Sequence, residues 1–275
     1  MQVTVATAAA SAAPNEDFVA ATPDLVVLLD GAGIPAGVKS GCVHGVAWFV
    51  RHLGTQLVEL LTLKPDRSLT EALEQAIRNV IAMHSDTCDP EHSGTPSATV
   101  AMLREQNDTV DYLVLADSSI VLELTIDDRP LVISDDREAH AATAHRQALH
   151  AQPIGTVFQK QRLADLATEL QYYRNRSGGF WVASSDPKAA RQALTGTVPR
   201  PTVRRAAVMS DGATRLADRF HLLTWQEALD LMECRGPAEL IQAVRDAERL
   251  DPDGQRWPRG KRHDDATAAF IRFQS

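Results

Sequence analysis

Cysteine is scarce in this chain, lysine nearly as scarce, and long apolar runs and basic surface are missing. Cys42, Cys88 and Cys234 are few, odd in number and widely spaced, which excludes a disulfide framework and suits a reducing cytoplasm. No hydrophobic stretch reaches the ~20 residues that span a bilayer. The formal net charge of -8 argues against a nucleic-acid or anionic-membrane partner. The first 13 residues, MQVTVATAAASAA, lack the basic n-region and apolar h-region of a secretory signal, and Val3 to Ala9 reads as a strand instead. No Pro/Gly/Ser-rich linker divides the chain, so residues 1–275 read as one domain, with 44% hydrophobic residues to fill a large core. Neither a Gly-x-Ser-x-Gly elbow nor a catalytic cysteine motif is present.

What the chain does have is a series of apolar strands bounded by acids. Asp24 to Gly37 reads DLVVLLDGAGIPAG: Leu25 to Leu29 is an unbroken apolar run of strand length, Asp30 ends it, and Gly31 and Gly33 let backbone approach a ligand closely. Tyr112 to Ala116 runs into Asp117, Ala206 to Ser210 runs into Asp211 and Gly212, and Ala266 to Phe273 follows Asp264 and Asp265. A turn aspartate explains any one of these alone. Taken together, three strands finish on an acid and one starts with it. In an antiparallel sheet the start of one strand lies beside the end of its neighbour, so the four carboxylates are expected at one edge. Two unit charges ~4 Å apart cost about 4 kcal/mol at an effective dielectric of roughly 20. A divalent cation removes that penalty, and carboxylate and carbonyl oxygens are ligands of Mg2+ or Mn2+ rather than of zinc.

Asn15-Glu16-Asp17, Asp30-Gly31-Ala32-Gly33, Ser97-Ala98-Thr99, Ala116-Asp117-Ser118, Ser210-Asp211-Gly212 and Asp264-Asp265-Ala266-Thr267 fall in an order and spacing that resembles the type 2C, metal-dependent protein Ser/Thr phosphatases (the PPM family) over nearly the whole chain. Abundant Ala and Arg beside only five lysines suggest a bacterial member. The resemblance implies an α+β fold, a four-layer α-β-β-α sandwich of two mainly antiparallel sheets flanked by helices. It implies hydrolysis of phosphoserine and phosphothreonine esters by water and two Mg2+ or Mn2+ ions. Asp30 would bridge the ions, Gly31 would offer its carbonyl to one, and Asp211 and Asp264 would complete the other. Asp17, with Glu16 beside it, matches an acid that holds water on a metal, although an acidic turn explains it equally from the residues alone. Asp117 matches a third, weaker metal position, with a hairpin turn as the simpler explanation.

Elsewhere the pattern is helical or hairpin-like. Val38 to Leu63 and Leu69 to His84 carry apolar residues at helical spacing, with Ser68 and Glu71 forming a capping box for the second. Two successive helices count against a dinucleotide site at Gly31-x-Gly33-x-x-Ala36, which requires a second strand within ~30 residues. Ala32, where a second Asp would be needed, counts against a haloacid-type phosphatase. Ser97 to Leu103 with Thr109 to Leu115, and Ile120 to Thr125 with Leu131 to Ser134, read as hairpins. Asp135 to Thr156 reads as an irregular flap that extends, through a helix at Gln161 to Arg174 and the Gly178-Gly179 pair, over about 135–179. Phe180 to Ala183 reads as a short strand, and Ala213 to Phe220, Trp225 to Cys234 and Pro237 to Leu250 as helices. His84, Cys88 and His92 approach zinc-ligand spacing, but Pro90 breaks the helix, and a helix end with solvated polar groups is the reading taken; His44 and His52 read as ordinary helix-face residues.

The resemblance is incomplete where phosphate would bind. Ala12 stands at a position that carries Arg in the family, Ser119 stands at another, and Ala32 replaces an occasional His. Arg256, Arg259, Lys261, Arg262 and His263 crowd the approach to Asp264, and Arg262 or Arg259 is the expected replacement anchor for phosphate. The expected substrate is a phosphorylated protein in the cytoplasm. A small phosphorylated molecule and a non-catalytic, phosphoprotein-binding role are the alternatives.

Overall fold

Leu25–Ala32 forms a strand whose first five residues are buried on both faces, as an unbroken apolar run requires. In the computed structural model, which describes residues 1–33 and 40–274, it is β3 of ten strands among the described residues. It pairs with β2 (Asp17–Ala21) and β4 (Ser97–Gln106), and β5 (Thr109–Leu115) and β8 (Leu194–Pro199) complete a sheet of order β2-β3-β4-β5-β8. The second sheet, β1-β10-β9-β6-β7, consists of β1 (Gln2–Ala8), β6 (Ser119–Leu124), β7 (Leu131–Ile133), β9 (Val203–Met209) and β10 (Ala266–Arg272). Every pairing is antiparallel.

Alternation along β3 explains the layers. Leu25, Val27 and Leu29 face α1 (Val46–Leu63) and α2 (Leu69–His84), together with Val100, Met102, Leu113 and Leu115. Val26 and Leu28 face the opposite way, into a layer shared with Ile120, Leu122, Val208, Ala269 and Ile271 of the second sheet. The outer face of that sheet is covered by α6 (Asp211–Asp218), α7 (Trp225–Arg235) and α8 (Pro237–Leu250), packed on Ala207, Met209, Ala268 and Phe270. The expected four-layer sandwich is what forms, because each central strand carries apolar residues on both sides and each helix on one.

Several local expectations change. α1 starts at Val46 rather than near Val38, because Gly41 and Gly45 take φ of 70° and 81°, values a right-handed helix does not admit. The expected start itself falls at 34–39, outside the described residues. The stretch read as an irregular flap holds α3 (Arg137–His140) and α4 (Thr143–His150), followed by α5 (Val157–Tyr173), capped by the Thr156 side chain. α5 is the helix expected at Gln161 to Arg174, begun one turn earlier, whereas α3 and α4 offer too few apolar residues to show as periodicity; Leu149 of α4 packs on Leu163 and Leu166 of α5. Phe180 to Ala183 makes only isolated bridges at its two ends. β8 has no counterpart among the sequence expectations, because LTGTVP is a largely exposed edge strand with no apolar alternation to mark it.

Leu28 is fully buried between the sheets. Leu28→Ala is expected to lower stability by about 2–5 kcal/mol, read as a shift of the urea midpoint with unchanged slope.

Candidate active site

The sheets bring acids together at one end. The register of β2 and β3 sets Asp17 directly opposite Asp30, an arrangement that like charges resist. β9 ends at Met209, so Asp211 opens α6 at the mouth of its strand, and β10 begins immediately after Asp264 and Asp265. These strands pair antiparallel, which puts Asp211 and the Asp264-Asp265 pair at the same end. Asp117 lies in the turn that carries the chain from the first sheet to the second, after Ala116 at φ 67°. The four acids expected at one strand edge therefore meet across the facing ends of two sheets. Asp30, Asp117, Asp211 and Asp264 all line one cavity of about 580 Å3, with Glu16 and Lys261 beside them.

Close backbone approach holds this arrangement. A Cβ on Gly31 would stand 2.5 Å from the Glu16 carbonyl oxygen, and one on Gly212 would stand 1.9 Å from that of Asp265. Each glycine is demanded by contact, not by its φ. The Gly31 amide donates to the Glu16 carbonyl at 3.0 Å, while the Asp265 carboxylate accepts from the amides of Ala10 at 2.6 Å and Glu16 at 2.7 Å. Asp265 is thus a scaffold that fixes the Glu16 turn. Ser210 Oγ donates to Asp17 Oδ2 at 3.0 Å.

Positive charge reaches only part of the cluster. Arg215 Nη2 lies 3.1 Å from Asp264 Oδ2, and Lys261 Nζ lies 2.9 Å from Asp264 Oδ1. Among the described residues, the carboxylates of Asp30, Asp117 and Asp211 have no ion-pair partner, and only that of Asp117 meets a hydrogen-bond donor, its own backbone amide. Burial holds the Asp30 carboxyl well above the usual carboxylate range, and the charges of Asp17, Asp211, Asp264 and Asp117 push it further. Asp117 is raised by burial and then by Glu138 and Asp211. Burial pushes Asp17 up to about 7 against the hydrogen bonds of Thr267 and Ser210, and it leaves Asp17 Oδ1 buried without a partner. Unpaired carboxylates, an orphaned oxygen and an all-oxygen donor set fit a hard divalent cation.

The chain matches the protein phosphatase 2C family over residues 6–245. The chain belongs to that family. A 2C phosphatase is a metal-dependent hydrolase of phosphoserine and phosphothreonine esters, and that is the class of this protein. Solved structures of bacterial phosphatases share the fold at low identity. The Mycobacterium tuberculosis serine/threonine phosphatase PstP is 17% identical, with a TM-score of 0.58 and coverage of 100% of this chain and 99% of that one. Staphylococcus aureus Stp1 is 13% identical, with a TM-score of 0.61 and coverage of 100% and 95%. The catalytic domain of a PstP in complex with two manganese ions is 15% identical, with a TM-score of 0.55 and coverage of 98% and 96%. Direct comparison with curated protein sequences finds no match.

Two expectations for this 2C phosphatase need correction. Arg259 is not free to hold phosphate: it is 2% exposed, its Nη1 donates to Asp251 Oδ2 at 2.8 Å and to the Trp257 carbonyl at 2.9 Å, and it braces the loop from inside. Arg262 donates from Nε to the Pro252 carbonyl at 3.1 Å and does not line the cavity. Lys261, between them in sequence, is the basic residue that reaches it. Likewise Glu16 lines the cavity while Asp17 stands behind Asp30. Arg215 had a legible signal, lying four residues after Asp211 on the same helical face.

Carboxyls whose folded pKa is raised bind protons more tightly folded than unfolded, so their contribution is present at low pH and is lost as pH rises from ~4 to about 7. In chelator, stability is therefore expected to fall between pH 5 and 8. Asp17→Asn should flatten that fall, by at most about 4 kcal/mol, in urea titrations at each pH.

Proposed function

We propose that this chain removes phosphate from phosphorylated serine and threonine in proteins, using Mg2+ or Mn2+ held by Asp30, the Gly31 carbonyl, Asp211 and Asp264, with Asp117 at a third, weaker position. The observation that carries this reading is the set of unpaired carboxylates from separate strands around one cavity. Cations bound there would neutralise the phosphoryl group and lower the pKa of attacking water.

The chain's own residues do the rest. Asp30, at the mouth of a strand buried on both faces, and Asp211, on the first turn of α6, are held by rigid elements, which fixes the carboxylate positions before substrate arrives. Arg215, buried and bonded to both Glu248 and Asp264, orients Asp264. Lys261 Nζ, in the cavity lining and paired with Asp264, supplies the positive charge that draws in the phosphate monoester, a role the family gives to arginines that Ala12 and Ser119 replace here. No side-chain nucleophile is required, in keeping with the missing Ser and Cys motifs. Glu16 and Glu138 line the same cavity as acids, so the net field repels anions wherever Lys261 and the cations do not offset it.

Those lost arginines favour one second reading, a phosphatase for small phosphorylated molecules. A panel of phosphopeptides against metabolite phosphates separates the two, and preference for phosphopeptides is expected.

Phosphate release should require Mn2+ or Mg2+ and stop in chelator. Asp30→Asn and Asp211→Asn are each expected to lower kcat at least about 1,000-fold, equivalent to ~4 kcal/mol. Lys261→Gln should raise KM about tenfold, ~1.4 kcal/mol, with a smaller change in kcat. Arg259→Ala should leave KM unchanged and lower stability by about 3–5 kcal/mol, because it strands Asp251. Equal KM values for Lys261→Gln and the parent would remove the anchor from Lys261.

A further inference from the structure

A second cluster of ligand-type side chains lies outside the carboxylate cavity. Cys42 and His44 sit in the segment between the Gly31 turn and α1, His84 is the last residue of α2, and Cys88 lies in the turn after it. The Cys88 amide donates to the His84 carbonyl at 2.9 Å within one pair, and the Asp89 amide donates to the Gly41 carbonyl at 2.8 Å, which brings the two distant pairs together. One ligand atom from each of the four lies within 4.8 Å of every other.

Four of the six separations among these atoms lie close to the edges of a tetrahedron around a metal. Cys88 Sγ is 3.5 Å from Cys42 Sγ and 3.3 Å from His44 Nδ1, and Cys42 Sγ is 3.9 Å from His44 Nδ1 and 3.8 Å from His84 Nδ1. Zinc bonds of ~2.3 Å to sulfur and ~2.0–2.1 Å to nitrogen give tetrahedral edges of roughly 3.8 Å between sulfurs and about 3.6 Å between sulfur and nitrogen. The Val43 amide points at Cys88 Sγ at 3.4 Å, a donor of the kind that steadies a thiolate. Trp48 stacks on His44 at a ring-centroid distance of 4.4 Å and fixes its orientation. His92 takes no part, since its Nδ1 accepts from the Gly94 amide at 3.0 Å.

We infer that Cys42, His44, His84 and Cys88 bind one structural zinc ion. Two thiolates and two imidazoles neutralise Zn2+ in a closed four-coordinate set, whereas the oxygen donors of the carboxylate cavity suit Mg2+ or Mn2+, so donor chemistry sorts the two kinds of metal. The reading of His84 and Cys88 as a solvated helix end is corrected: His84 is 4% exposed, and its partners come from a Cys-x-His pair far back in the chain. The clip ties the approach to α1 onto the end of α2. Val46, the first residue of α1, is the side chain against which Gly31 and Gly33 press, and Ser40, Gly45 and Val46 form one wall of the carboxylate cavity. Zinc would thereby hold that wall in place without touching the reaction.

The test uses the full chain purified under reducing conditions without chelator. Elemental analysis is expected to show about one zinc per chain, and replacement by Co2+ should give the ligand-field and thiolate charge-transfer absorption of a tetrahedral sulfur-nitrogen site. Asp30→Asn should keep both signals. His44→Ala, at an exposed position, should weaken zinc binding by more than the ~10–100-fold typical of an outer-shell change, and Cys42→Ser with Cys88→Ser should abolish it. A folded, reduced parent chain that takes up neither zinc nor tetrahedral Co2+ overturns the inference. So does a thiol count showing Cys42 and Cys88 joined as a disulfide in that preparation, or zinc content that Asp30→Asn removes and His44→Ala does not.

Discussion

Mutual repulsion of carboxylates at the ends of two facing sheets is the constraint on which this molecule turns. Among the described residues no direct ion pair relieves it at Asp30, Asp117 or Asp211, whereas elsewhere the protein pairs buried charge with care. Glu248 is fully buried yet meets Arg215, Arg245 and His263, and Arg205 is shared among Glu123, Asp230 and Glu233. Three carboxylates without an ion-pair partner, in a fold that otherwise pairs its buried charge, are what support the proposed binding of cations in that cavity. The sandwich keeps the acids there. A one-residue slip of β3 toward its N-terminus would draw Asp30 into the apolar interior, so the core behind it fixes where that carboxylate stands.

Much of this was legible in the chain because it depends on strand ends. An apolar run that stops at an acid shows both a buried strand and where its mouth lies, and three such runs, with a fourth that starts on an acid, lead to the cavity from the sequence alone. Family resemblance supplied the layer order, which hairpins alone do not give. What was not legible depends on long-range direction. Arg259 and Arg262 flank Lys261 in a basic loop, and nothing in composition says that Arg259 turns inward to Asp251 while Lys261 turns to the cavity. Glu16 belongs to the turn before β2 and Asp17 opens the strand opposite Asp30, so long-range contacts with Asp265 and β3 decide which of them faces the cavity. β8 is an edge strand without an apolar face, and α1 starts late because of two glycine φ values that sequence does not print.

The cysteine and histidine pairs show the same limit from the other side. His84 and Cys88 were visible as near-ligands, but their partners, Cys42 and His44, were spread across an assumed helix that would have carried them apart. Once Gly41 and Gly45 break that helix, the segment folds back on the end of α2. The proposed zinc clip and the carboxylate cavity then share a wall, which links the rigidity of one to the shape of the other. Hard oxygen donors lie on one side of that wall and soft sulfur and nitrogen donors on the other.

The most direct test of the central claim is an anomalous difference map from a crystal of the parent chain grown with Mn2+. The account predicts two peaks in the cavity, one against Asp30 and the Gly31 carbonyl and one among Asp30, Asp211 and Asp264. A map with no peak there, from a crystal saturated with Mn2+, would contradict it.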